Sequence, residues 1–148
     1  MSHARQTVRD QAVAVLTGLA TTGTNVFASR VHPLYENVLP CLLISTDGED
    51  IEIVSGGNGA GNDIQLRTIT LNISAVAKAV DTLDDTLDDI STEVEVAMAA
   101  YTTGAFKRKQ LKAVKIRLSG DGDQPIGTAT MIYEVQVFTK VSTPDVII

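Results

Sequence analysis

Cysteine is nearly absent from this chain of 148 residues: Cys41 stands alone, which excludes an intrachain disulfide and any zinc cluster built on cysteine pairs. Tryptophan is missing altogether and the aromatics amount to 4%, so the basic segment described below lacks the interleaved rings on which single-strand binders stack bases. His3 and His32 are the only imidazoles. Neither accompanies a serine or cysteine in a nucleophile-elbow context, so no hydrolase triad is expected. A net charge of -6 argues against coating nucleic acid through the overall field, which needs a basic surface. Long apolar runs are also lacking: nothing approaches the ~20 residues of a membrane span. The opening MSHARQTVRDQAVAVLTGLA is interrupted by Arg9, Asp10 and Gln11, unlike a secretory leader. The expectation is a soluble product made in the cytoplasm, without membrane contact.

Hydrophobic residues at 44% and charged residues at 20% suit a folded unit, and the length suits one core, so residues 1–148 are expected to form a single domain. Val8, Ala12, Val15, Leu16 and Leu19 recur at helical spacing, which predicts a first helix over residues 4–20 ended by Gly23. Residues 25–31 could form a short strand. Pro33 and Pro40 then mark an irregular crossing, and the apolar run 41–46 fits a buried strand. Residues 47–63, DGEDIEIVSGGNGAGND, contain a short alternating piece around Ile51 and Ile53 and read as a long hairpin or loop with a flexible glycine-rich part at 56–62. From residue 64 to 77 the alternation is clean, with Ile69, Leu71 and Ile73 on one face and Thr68, Thr70, Asn72 and Ser74 on the other.

Asp81 is a good N-cap and Asp84 lies three residues on. Leu83, Leu87, Ile90, Val94, Ala97, Met98 and Tyr101 then define the apolar stripe of a second helix, followed by Gly104. Val114, Ile116 and Leu118 are predicted to face inward opposite Lys115 and Arg117. The turn SGDGDQPIG leads into a closing strand that buries Met131, Tyr133, Val135 and Val137. Residues 142–148 form a C-terminal tail. The order lacks the αβ alternation of a doubly wound sheet. It predicts an α+β domain: a largely antiparallel or mixed sheet, both helices on one face, and a long hairpin loop. The Thr/Asn/Ser face would stay free of helices.

Charge is sorted by segment. Seven of 18 acidic residues fall within 81–95 and six of 12 basic residues within 107–117, a layout suited to docking. Asp84/Asp88 and Asp85/Asp89 are spaced to share a cation, but they point away from the apolar stripe and no histidine joins them, which favours a solvated or partner-facing surface. Like charges four apart cost about 0.2–0.5 kcal/mol each in an isolated helix, so helix stability does not select them. Gly57, Gly59 and Gly61 lead into a strand, not into the helix N-terminus a phosphate loop requires. Asp121 and Asp123 lack the closing glutamate of a calcium loop. No catalytic residue, metal site or cofactor is expected, and an enzyme is the least favoured class. The candidate interface residues are Asp84, Asp85, Asp88 and Asp89 on the helix, Lys107, Arg108, Lys109, Lys112, Lys115 and Arg117 on the basic segment, and Gly57 and Gly59 in the loop.

Several segments, taken in order, carry a family resemblance: Ser29-Arg30 before the loop HPLYENV, the strand LPCLLIS opened by Leu39-Pro40, an acidic connection, the long strand LRTITLNIS, the helix DTLDDTLDDISTEVEVAM opened by Asp81-Thr82-Leu83-Asp84, and the closing ATMIYEVQVF. In this layout the chain resembles the tail terminator proteins of long-tailed, lambda-like bacteriophages over nearly its whole length. The loop GGNGAGN and the tail TPDVII depart from the pattern. The resemblance implies a structural virion protein, at the head-proximal end of the tail, that assembles as a six-membered ring. Such a ring caps the tail tube, stops its polymerisation and meets the neck or head-completion protein, while DNA passes through without sequence-specific binding. Two alternatives remain: another phage neck or head-completion protein, and a small metal- or ligand-binding cytoplasmic domain.

Overall fold

The computed structural model describes residues 2–28, 39–56, 61–78, 82–119 and 126–148. Helix α1 spans Ala4–Leu16 and buries Ala4, Val8, Ala12 and Leu16, one residue every four along a single stripe. His3 caps it by accepting the Arg5 N–H on Nδ1 at 3.1 Å. The helix ends four residues earlier than its apolar spacing predicts. Thr17 turns to an extended conformation, and Gly18 takes φ of +96°, which glycine adopts without a Cβ clash. Val15 and Leu19 still pack against the core.

Strand β1 is short, Val26–Phe27, and runs parallel to β2, Cys41–Ser55, with Val26 opposite Leu42. The remainder of the predicted 25–31 strand, from residue 29, lies outside the described residues. β2 bears out the hairpin reading of the segment from residue 47 and carries the strand without interruption to Ser55. It forms an antiparallel hairpin with β3, Ile64–Lys78, in register from Cys41 opposite Val76 to Ser55 opposite Ile64. A break in register between Thr46 and Gly48 takes up Asp47 as an extra residue, after which pairing resumes. Asp47 is therefore a bulge inside a long strand.

Helix α2, Leu83–Ala100, buries Leu83, Leu87, Ile90, Val94 and Met98 and carries Asp84 and Asp85 in its first turn. Its cap position is Thr82, without a side-chain cap bond; the predicted cap Asp81 lies outside the described residues. A 3-10 turn, Gly104–Phe106, follows and plugs the core with the fully buried Phe106, whose ring meets Tyr101 edge-on at 6.0 Å. β4, Lys109–Ser119, and β5, Ile126–Lys140, close the chain as an antiparallel hairpin. β5 also pairs with β3 from Ile64 opposite Lys140 to Lys78 opposite Ile126.

The sheet order is β1-β2-β3-β5-β4, mixed only through β1. Inward residues of β3 and β5 share one core with both helices: α2 rests on β3 and β5, and α1 chiefly on β2. The fold is thus α+β, with its helices on one face of the sheet. β4 corrects the inward assignment of Val114, Ile116 and Leu118. They stand opposite Met131, Ala129 and Gly127, hence on the helix side, but are 42%, 53% and 55% exposed. Among the described residues the helices cover β3 and β5 and leave this stretch of β4 open.

Candidate interaction surfaces

The sheet face away from the helices is lined by alternate residues of the long strands. Ser74 and Thr130, cross-strand partners, share a hydroxyl hydrogen bond at 3.1 Å. A polar hollow of about 500 Å³ opens there, lined among others by Thr70, Asn72, Thr128, Thr130, Lys115 and Arg117. Asn72 buries its Oδ1, which has no hydrogen-bond partner among the described residues.

The predicted interface residues divide among different surfaces. Asp84, Asp85, Asp88 and Asp89 are exposed along α2. Lys115 and Arg117 stand opposite Thr130 and Thr128, on the helix-free face, so the fold separates them from the acidic helix. Lys112 occupies the register break between Leu111 and Ala113 and pairs with Glu134 at 3.5 Å. Both side chains are about 40% exposed, so this pair contributes little stability. Arg108 stacks its guanidinium over the Phe138 ring, 5.3 Å from the centroid. Lys109 turns to the helix side and donates through Nζ to the Tyr101 carbonyl at 2.6 Å. Burial lowers its pKa. Lys109 therefore staples the end of α2 to β4. Gly57 and Gly59, with Asp121 and Asp123, lie outside the described residues.

One cluster has no counterpart among the residues singled out from the sequence. Glu49 Oε1 accepts from Arg67 Nη1 at 2.7 Å and from Arg5 Nη1 at 2.8 Å, while Arg67 Nε donates to Thr139 Oγ1 at 2.9 Å. Arg67 is 5% exposed and Thr139 fully buried. The signal was the alternation of β3: counting back from Ile69 puts Arg67 on the apolar face, where a cation needs a buried partner. The cluster fastens the outer half of β2 to β3, β5 and α1. The predicted C-terminal tail is held as well: the Ile148 N–H donates to the Phe138 carbonyl at 2.9 Å and the Ala4 N–H to the Pro144 carbonyl at 3.1 Å.

Three further titratable groups are shifted chiefly by burial. It raises the Cys41 thiol to about 11. The Tyr133 phenol rises to about 12 through burial, with Glu95 adding to the shift. His3 is lowered, first by burial and then by Arg5. Among the described residues no group of three or more His, Cys, Asp or Glu side chains is placed to hold a metal ion, and no helix is long and apolar enough to cross a membrane.

No protein family matches the chain, and neither does any curated protein. Among solved structures, a chain from the virion of a native gene transfer agent particle aligns over 93% of this chain and 92% of its own, with 18% identity and a TM-score of 0.49.

Proposed function

We propose that the protein is a structural component of a phage-like virion, one that caps a tail tube as a ring, ends its polymerisation and offers its other face to the neck or head-completion protein. The observation that carries this reading is the agreement between the sequence layout and the spatial layout. The strand LPCLLIS, the strand LRTITLNIS, the aspartate-rich helix and the strand ATMIYEVQVF, the segments on which the resemblance to tail terminators rests, form β2, β3, α2 and β5. They build a unit with all its helices on one side and a polar sheet face on the other. Such a unit works through surface complementarity, with the DNA passing and no reaction performed.

Mixing the purified protein with tail tubes that lack a cap tests the reading by electron microscopy. Rings seated on one end of tubes of fixed length are expected. Binding to DNA-filled heads but not to tubes would reassign the protein to the head-completion class. A rise in melting temperature with calcium or magnesium alone, without tube binding, would favour a metal-binding domain.

A further inference from the structure

The two outer edges of the sheet carry complementary sequences. β4 is an edge strand along its whole length, Lys109–Ser119. On the opposite side β1 covers β2 only at Leu42 and Leu43, so beyond Leu43 the outer edge of β2 has no strand partner among the described residues. Long open edges present rows of backbone donors and acceptors, and native proteins blunt them or pair them. Here each edge alternates one charge sign with apolar residues. Asp50 and Glu52 lie opposite Thr68 and Leu66, on the helix-free face, and Ile51 and Ile53 on the helix face. On β4, Lys115 and Arg117 lie on the helix-free face and Val114 and Ile116 on the helix face. All four of these apolar side chains are between 42% and 53% exposed, and among the described residues neither the two acids nor the two bases make an ion pair within the subunit.

We infer that the β4 edge of one copy of this chain docks antiparallel on the outer β2 edge of a second copy, with Asp50 opposite Arg117, Ile51 opposite Ile116, Glu52 opposite Lys115 and Ile53 opposite Val114. This one register joins the charges on one face and the apolar side chains on the other, and continues the sheet with its faces unbroken. β2 and β4 run in opposite directions within the subunit, β2, β3, β5 and β4 being successively antiparallel, so a neighbour that preserves face and strand direction arrives antiparallel. The two edges are different surfaces, so each copy leaves one free for the next. The contact is heterologous, generating a ring or a filament. Closure into a ring rests on the function proposed above; the edge pairing does not.

Oligomeric state by light scattering tests the pairing. K115E/R117E and D50K/E52K are each expected to run as 15.7 kDa monomers at a concentration where the wild type is oligomeric, with unchanged circular dichroism. Mixed one to one, the two variants are expected to regain the oligomer, because every contact in an alternating assembly is again between opposite charges. The variant I51C/I116C should form a ladder of disulfide-linked oligomers on oxidation, and I51C/K115C, with its thiols on opposite faces, should not. A wild-type monomer at every concentration reached, no ladder, or charge-reversed variants that stay oligomeric would overturn the inference. Cross-linked oligomers that ignore tail tubes would instead overturn the tail-capping reading and leave the pairing intact.

Discussion

Replacing Arg67 with leucine isolates the energetics of the buried Glu49–Arg67 cluster. The guanidinium donates to Glu49 at 2.7 Å, Thr139 at 2.9 Å and Gln65 at 3.2 Å, and the Arg67 and Glu49 side chains are each 7% exposed. Leucine removes all three donors. Glu49 is then left with Arg5, whose side chain is 44% exposed, and the Thr139 hydroxyl loses its acceptor role in a fully buried position. Removing one partner of a buried pair costs about 3–5 kcal/mol, and the surviving Arg5 contact puts this site near 3. At about 2–4 °C per kcal/mol for a chain of this size, thermal unfolding followed by circular dichroism should shift down by roughly 6–12 °C. E49L/R67L should recover most of the loss. Apolar replacement of a whole buried pair is often neutral, Glu49 Oε2 has no hydrogen-bond partner to forfeit, and Arg5 can turn to water. Hydrogen exchange should also accelerate at residues 49–55 in R67L, since the cluster pins the exposed half of β2. An R67L variant within about 1 kcal/mol of wild type, or a double variant worse than R67L, would refute the reasoning.

Gly127 is enclosed by leucines: a Cβ there would sit 2.9 Å from Leu118 Cδ2 and from Leu87 Cδ1. Gly127→Val is expected to lose about 1–3 kcal/mol by overpacking, read in urea denaturation, whereas Gly127→Ala, which needs only leucine tips to move, should cost much less. Cys41 and Tyr133 hold their protons to about 11 and 12 when folded, against ordinary values of 9.0 and 10.0. The unfolded chain releases these protons first, so the stability they contribute is complete below about pH 9 and is lost as pH rises toward the folded values. Melting temperature should fall across that window, less steeply in C41A, and a flat or rising profile would contradict the burial assigned to both groups. The same burial predicts a Cys41 thiol that reacts with a disulfide reagent only after unfolding.

Periodicity disclosed the parts of this fold that alternate against a continuous core. Leu83, Leu87, Ile90, Val94 and Met98 mark α2, and Ile69, Leu71 and Ile73 mark β3, because each stripe is buried along its length. Two segments whose extent or burial differs from the expectation fail that condition. Residues 47–55 carry Gly and acids that imitate a turn, and their pairing depends on a bulge at Asp47 and on Arg67, distant in sequence. Val114, Ile116 and Leu118 obey strand periodicity, but period alone does not say whether a helix lies above the strand. Phe106 has no legible signal, because a single aromatic in a short 3-10 turn has no period. Of the candidate interface residues, Lys115 and Arg117 stand on the edge strand β4, while Lys109 reaches the Tyr101 carbonyl.

The sorted charge of the sequence acquires a sharper physical meaning from the sheet. The acidic block that attracts attention in the sequence lies on α2, yet Lys115 and Arg117 point to the opposite face of the sheet from that helix. The acids able to meet them strand to strand are Asp50 and Glu52, in the segment that reads as a hairpin or loop. Cross-strand opposite charges contribute only about 0.2–1 kcal/mol per pair, so such pairs select register more than they supply affinity. Affinity would come from the backbone ladder and from the apolar Ile51, Ile53, Val114 and Ile116, whose exposure on an isolated subunit is otherwise an aggregation hazard. Alternating charge with apolar residues on both edges answers both needs: it makes one antiparallel register of a second copy favourable, and it opposes pairing of β4 with β4 or of β2 with β2, where like charges would meet.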